Sequence, residues 1–294
     1  MTYSLLTEMQ DFIACDLQQY TLIEIKGEDA EKFLQGQLTC DVSQLAEGAS
    51  TLTAHCDPKG KVTSLFRLIR TEAQCFYLLI KKNLLPTALE QLKKYAVFSK
   101  VSFTELDWHI IGLAGQKIIN ACDEVPAKIR LHLNSQQPRM ILLHPTPLDI
   151  TPNAAHPAWD LLDIQDGIPM LRTETQGEFI PQALNLQSLE DAISFQKGCY
   201  IGQEIVARAK YRGANKRAMF TFVAHSQDIP ELRSEIEIQL ETNWRKTGSI
   251  INIANFEGTL WLQVVLNNQI EEGSQFRLSE QTELTPFALP YQLA

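Results

Sequence analysis

Apolar and polar positions follow one rhythm over the first two thirds of the chain and another over the last. "YTLIEIKG" (20–27) is a short apolar run closed by Gly27 and reads as a strand, and "EDAEKFLQ" (28–35) reads as a short helix stopped by Gly36. "STLTAHC" and "KVTSLFRLIR" flank "DPKG", where Pro58 and Gly60 suit a turn, and "QCFYLLI" follows a polar break; these predict three antiparallel strands. "LLPTALEQLKKY" has apolar residues at 85, 88, 89 and 92, the spacing of a helix, with Asn83 as its cap and Pro86 in its first turn. "WHIIGLAG", "QKIINACDE" and "PRMILLH" continue as strand, helix and strand. The proline-rich "HPTPLDITPNAAHPAW" then predicts a boundary between subdomains. After residue 217 long helical periodicity gives way to short runs, "AMFTFVAH", "EIEIQLE", "TGSIINIA" and "TLWLQVVLN", which predict a small antiparallel β barrel or sandwich over 218–294.

At 294 residues the chain is long for one small domain, and 45% hydrophobic with 21% charged residues is ordinary for a globular protein. No run of 18 apolar residues and no basic-then-apolar leader occurs, so a cytoplasmic protein without a membrane segment is expected. Cysteines 15, 40, 56, 75, 122 and 199 are widely scattered, unlike a secreted disulfide scaffold, and are expected to be reduced. Their spacing, with no paired histidines, predicts no intrinsic metal centre. The net charge is −9, yet residues 197–217 carry Lys197, Arg208, Lys210, Arg212, Lys216 and Arg217 against Glu204, a local +5. Such a window is either a solvated helix face or a landing site for a polyanion, whether nucleic acid phosphates or a ligand with several carboxylates.

That window opens with "FQKGCYIGQE" (195–204). Gly198 and Gly202 bracket "CYI" and permit unusual backbone angles and close approach to the main chain. If "GQEIVARAKYRG" is a helix ending near Gly213, Cys199 lies just ahead of its N-terminus, where free amides and the helix dipole favour an anion, and Lys197 adds positive charge. That arrangement suits a reactive thiolate. The competing reading is a small buried hydrophobe, the commoner fate of a single cysteine. Gln203 and Glu204 fit helix capping as well as ligand binding. No histidine is tied to the motif by spacing, and His55 reads as a surface or strand residue.

"KGCYIGQE" followed by "VARAKYRGANKR" closely resembles the signature of the bacterial YgfZ family of folate-binding, tRNA-modifying proteins. "GEDAEKFLQGQLTCDVSQL", "TAHCDPKGKV", "LKKYAVFSKV", "GEFIPQALNLQSL", "NWRKTG" and "QVVLNN" resemble it in the same order, so the similarity spares mainly residues 120–155. The family is similar in fold to the T-protein of the glycine cleavage system, a tetrahydrofolate-dependent aminomethyltransferase. The resemblance therefore implies an α+β fold of interleaved subdomains around a central folate hole (1–217, with a strand-rich hairpin part about 49–104 inserted), followed by the β barrel (218–294). It also implies folate against two aromatic positions, Trp159 and, with tyrosine in place of tryptophan, Tyr20. Flat pterin rings stack well on such faces.

In the T-protein acidic residues follow the turn after "KG", whereas Thr63 and Ser64 stand here, so a catalytic carboxylate is missing. The resemblance implies an accessory protein that binds tetrahydrofolate or a polyglutamylated derivative. It would support iron-sulfur proteins such as radical tRNA methylthiolation enzymes, with Cys199 as its functional thiol and Lys197, Gly198, Tyr200, Gly202, Gln203, Glu204 and Arg208 as the supporting motif. Lys210, Arg212, Lys216 and Arg217 then form a polyanion patch suited to a glutamate tail. Two other readings compete: a folate-dependent one-carbon transferase, and a direct tRNA binder working through 197–217.

Overall fold

A computed structural model describes residues 3–118, 125–271 and 273–293 of the chain. After β1 (Ile13–Asp16) the predicted strand at 20 appears as β2 (Tyr20–Lys26), followed by α1, Ala30–Gln35, which stops at Gly36 as expected. The three predicted strands are β3 (Ser50–Cys56), β4 (Val62–Glu72) and β5 (Cys75–Lys81), paired antiparallel in that order. Their sheet continues from β5 to β2 and then to β6 (Ser102–Leu106). It therefore reaches beyond the hairpin segment that the apolar runs alone outline.

The helix α2 (Leu85–Tyr95) buries Ala88 and Leu92 and half-buries Leu85 and Leu89, the stripe its spacing predicts. Leu84 rather than Asn83 takes its cap position, because Lys82–Leu84 first form a 3-10 turn that draws Asn83 into it. A second sheet, order β1-β7-β9-β8, contains β7 (His109–Ala114), β8 (Ile129–His132) and β9 (Arg139–His144). Most of the helix predicted from "QKIINACDE", with Cys122, lies outside the described residues. The proline-rich connector folds back on β1: the Asn153 and Ala154 amides both donate to the Ala14 carbonyl before α3 (His156–Gln165) begins.

The last region forms one seven-stranded sheet, order β12-β11-β15-β16-β10-β14-β13. Its strands are β10 (Arg217–His225), β11 (Ile236–Leu240), β12 (Asn243–Thr247), β13 (Ser249–Phe256), β14 (Thr259–Asn267), β15 (Phe276–Ser279) and β16 (Thr282–Phe287). The two edge strands β12 and β13 are joined by Gly248 alone, at φ +68°, so the sheet must curl until its edges meet at that end. That curling makes it a barrel. Two buried amides fasten it to the body: Asn185 exchanges hydrogen bonds with the Met219 backbone, and Gln263 does so with Ile168 and Met170. One apolar cluster runs from Ile13, Leu22, Leu79 and Ile141 through Trp159 to Val223 and Trp261, so all three sheets share a core.

Candidate functional site

The side chains that face one another at the centre come from strands and a helix that the sequence separates widely. Tyr20 and Lys81 are register partners on β2 and β5, which places the Lys81 ammonium 5.6 Å from the Tyr20 ring centroid. The helix α3 crosses this point and presents Asp160 and Asp163, three residues apart and thus on one face. Lys81 Nζ donates to Asp160 Oδ1 at 2.9 Å, and the Tyr20 hydroxyl reaches Asp163 Oδ2 at 3.5 Å. Behind them Arg139 of β9 forks onto Asp163 and Asp166 at 2.6 and 2.5 Å. Its guanidinium carbon also lies 4.3 Å from the Trp159 ring centroid. Burial is the main reason, with the Asp163 charge second, that the Tyr20 phenol is held well above its usual range and stays protonated.

Trp159 is 1% exposed and packs against Gly112, where a side chain would bring Cβ to 2.6 Å from the indole. The glycine on β7 is therefore required by the ring. Trp159 and Tyr20 border the same partly open cavity, and Leu52, Leu65, Phe66 and Leu79 supply apolar wall. Residues 168–171, held by the Gln263 amide, close another side. The two aromatics expected from the resemblance are thus brought together, although Arg139 and Gly112 already engage the Trp159 ring and little of it remains free to stack. Arg67 borders both this cavity and a larger outer cleft, whose walls include Cys40, Asp41, Glu190, Ser194, Phe195 and Lys210.

Cys199 is exposed and borders neither hollow. The helix that follows it, α4 (Gln203–Tyr211), forms nearly as expected, with Gly202 at its cap in the left-handed region, φ +80°. A side chain on Gly202 would come within 2.6 Å of the Asp57 carbonyl and 2.8 Å of the Gly60 Cα, so this glycine joins "KGCYIGQE" to the "CDPKG" turn. Gly198 by contrast meets nothing within 4 Å of a would-be Cβ. Lys197 departs from the electrostatic role expected of it. Its ammonium turns inward and donates to the Leu38 and Cys40 carbonyls at 2.8 and 2.6 Å, and burial lowers its pKa to about 8. Two carbonyl acceptors in the core outcompete an exposed thiol for it. The same ammonium lies 5.1 Å from the ring of buried Tyr200.

Glu204 neither caps the helix nor meets a cavity; it is exposed and pairs with Arg208 at 2.6 Å, one turn on. Gln203, half-buried, opens the helix. Arg208, Lys210, Arg212, Lys216 and Arg217 are exposed, so the basic face persists without Lys197. Lys210 borders the outer cleft, with its Nζ 3.8 Å from the Phe195 ring centroid.

His55 is a strand residue as one reading had it, but it is fully buried and not at the surface. Its Nδ1 lies 3.0 Å from Thr63 Oγ1, Nε2 has no partner, and burial lowers its pKa to about 4, which keeps it neutral. Ser64 is likewise buried, with its hydroxyl unpartnered. Cys15, Cys40, Cys56 and Cys75 are buried and free, and burial raises the pKa of each, that of Cys15 to about 11.

Reading the sequence missed Arg67, Lys81, Arg139, Asp163 and Glu190. Asp160, Asp163 and Asp166 did carry a signal: three carboxylates at intervals of three within the apolar run "WDLLDIQDGI" need buried cations. Nothing near Arg67 or Glu190 in sequence announces that they meet, 123 residues apart.

Residues 215–281 match the family described as "YgfZ, beta-barrel domain", and residues 8–129 match the "GCVT N-terminal domain". A protein of Haemophilus influenzae, described as uncharacterized, is 55% identical over 97% of this chain and 99% of its own. The Escherichia coli "tRNA-modifying protein YgfZ" is 38% identical over 94% of this chain and 92% of its own. Among solved structures, the glycine cleavage system aminomethyltransferase T from Bartonella henselae superposes with a TM-score of 0.67. It covers 95% of this chain and 86% of its own at 12% identity, a likeness of fold.

Proposed function

The chain belongs to the YgfZ family, and we propose that it binds a tetrahydrofolate in the cavity between Tyr20 and Trp159 and thereby supports tRNA modification. The observation that carries this reading is the cavity itself: largely apolar, bordered by Tyr20 and Trp159, and bearing a few fixed polar groups. That composition suits a flat heterocycle with a polar edge. Tyr20 and Trp159 would border the ring system, Asp163 and Lys81 would supply acceptor and donor, and Arg67 marks the way to the outer cleft. Bound there, the folate would supply a carrier for one-carbon units. Lys210 on the cleft wall suits a polyglutamylated tail.

The client chemistry we propose is upkeep of iron-sulfur proteins in the cytoplasm, such as radical tRNA methylthiolation enzymes, with Cys199 as the thiol presented to them. Its exposure supports this role. A one-carbon transferase is the weaker reading, because Thr63 is engaged with His55 and Ser64 is buried, and neither supplies a carboxylate. Direct tRNA contact draws support from the exposed basic face and predicts affinity that falls steeply with salt.

Titrating 5-formyltetrahydrofolate against intrinsic fluorescence tests the ligand. Saturable binding that weakens in Trp159→Phe and Tyr20→Leu is expected, and no saturable change in the wild type would overturn the folate reading. For the thiol, Cys199→Ala should bind folate as before yet fail to restore methylthiolated tRNA in cells lacking the wild-type protein. Full restoration would make Cys199 dispensable.

A further inference from the structure

Arg67 lies between the inner cavity and the outer cleft, bordering both, and it is not free. Its Nη2 donates to Glu190 Oε1 at 2.7 Å and its Nη1 to Oε2 at 3.1 Å, a two-pronged grip on one carboxylate. The Leu52 amide donates to the same Oε2 at 2.8 Å. Three N–H groups from two neighbouring strands thus converge on a carboxylate that reaches them from a loop.

Two features distinguish this pair from the other ion pairs of the centre. Asp160, Asp163 and Asp166 belong to α3 and the residue that ends it, a helix packed in the core, and their side chains are 7–12% exposed. Glu190 instead follows a 3-10 turn (Leu186–Ser188), borders the outer cleft, and holds a left-handed backbone at φ +46°, strained for a residue with a side chain. Its side chain, 17% exposed, is the one among these four carboxylates that borders the outer cleft. The cavity wall also offers an incoming anion little else, since Lys81 is committed to Asp160.

We infer that Arg67 and the Leu52 amide form a carboxylate-recognition site for the ligand's tail, and that Glu190 is its internal occupant, displaced when the ligand binds. The exchange is one carboxylate for another, so the buried guanidinium is never left unpaired. This assignment rests on the folate reading above and adds to it the residues that recognise the acidic end. Glu190 then competes with ligand: it keeps the site closed to molecules without a carboxylate to offer, and it sets the affinity for those that have one.

The test compares two probes, 5-formyltetrahydrofolate, whose glutamate carries carboxylates, and 6-methyltetrahydropterin, which has a reduced pterin ring and no carboxylate. They are titrated into wild type, Glu190→Gln, Arg67→Gln and Arg67→Lys, with a melting curve for each protein. Glu190→Gln should bind the folate several-fold tighter than wild type and the pterin equally. Arg67→Gln should weaken the folate on the order of tenfold or more with the pterin unchanged, and Arg67→Lys should fall between. A Glu190→Gln protein that binds folate no better than wild type would overturn the inference, as would Arg67 variants that affect both probes alike. If both probes bind wild type and the variants do not differ, only the carboxylate site falls. If neither probe binds wild type, the folate reading falls with it. The Glu190→Gln arm decides the matter should Arg67→Gln not fold.

Discussion

The wall around Trp159 is made of charges withdrawn from water, while the loop around Cys199 leaves its thiol in water and buries only what holds the loop in place. In the first region Arg139, Asp163, Asp166, Lys81 and Asp160 are each paired with another charged side chain, so removing one strands its partners. In the second, the fixing contacts are Gly202 against Gly60 and Lys197 on two backbone carbonyls. The thiol takes no part in them. One region ties stability to the residues that border the cavity, and the other keeps its fixing contacts and its exposed thiol on different residues of one short motif.

The largest effect that separates the two should come from Arg139→Met. Leaving Asp163 and Asp166 buried without their cation should cost about 3–5 kcal/mol, read from chemical denaturation. A loss under about 1 kcal/mol would mean that water replaces the arginine and that the wall is less closed than described.

His55 predicts a pH effect. Burial keeps its folded pKa near 4, below the ordinary 6.5, so between those values the unfolded chain takes up a proton that the native one refuses. Stability should therefore fall as pH drops through that window, by on the order of 3 kcal/mol in full. His55→Gln should remove that part of the slope, and an unchanged slope in the variant would assign it to other groups.

Within the cysteine motif the two glycines should behave differently. Gly202→Ala meets both a left-handed backbone and the Asp57 carbonyl, and should cost about 1–3 kcal/mol. Gly198→Ala meets nothing, and its melting temperature should stay within the error of the wild type's. Equal losses would show that the motif is packed along its whole length.

Cys199→Ala should likewise change stability by no more than about 0.5 kcal/mol, as for an exposed side chain outside the fixing contacts. The same variant should lose one fast-reacting thiol in native-state maleimide labelling, while Cys15, Cys40, Cys56 and Cys75 wait for unfolding. Unchanged fast labelling in the variant would show that the reactive thiol is a different one.

Much of the scaffold was legible because it follows local patterning. The apolar runs of β3 to β5, the stripe on α2 and the glycine-capped α4 each arise from residues a few positions apart. Cys199 and its two glycines were visible for the same reason. What local reading gave Lys197, a place beside the thiol, was wrong in direction, because the competing acceptors on Leu38 and Cys40 lie some 160 residues upstream in the chain.

By itself, then, the sequence determined the strands and helices, the change to a β barrel after residue 217, and a cysteine set between glycines ahead of a basic helix. Only the tertiary structure decided which charges leave water together. Arg139 meets two aspartates 24 and 27 residues away, and Arg67 meets Glu190 across 123. The hydrophobic period of a strand or helix is a property of a short window, whereas a buried charge is tolerable only beside its partner, and that partner is chosen by how the sheets pack.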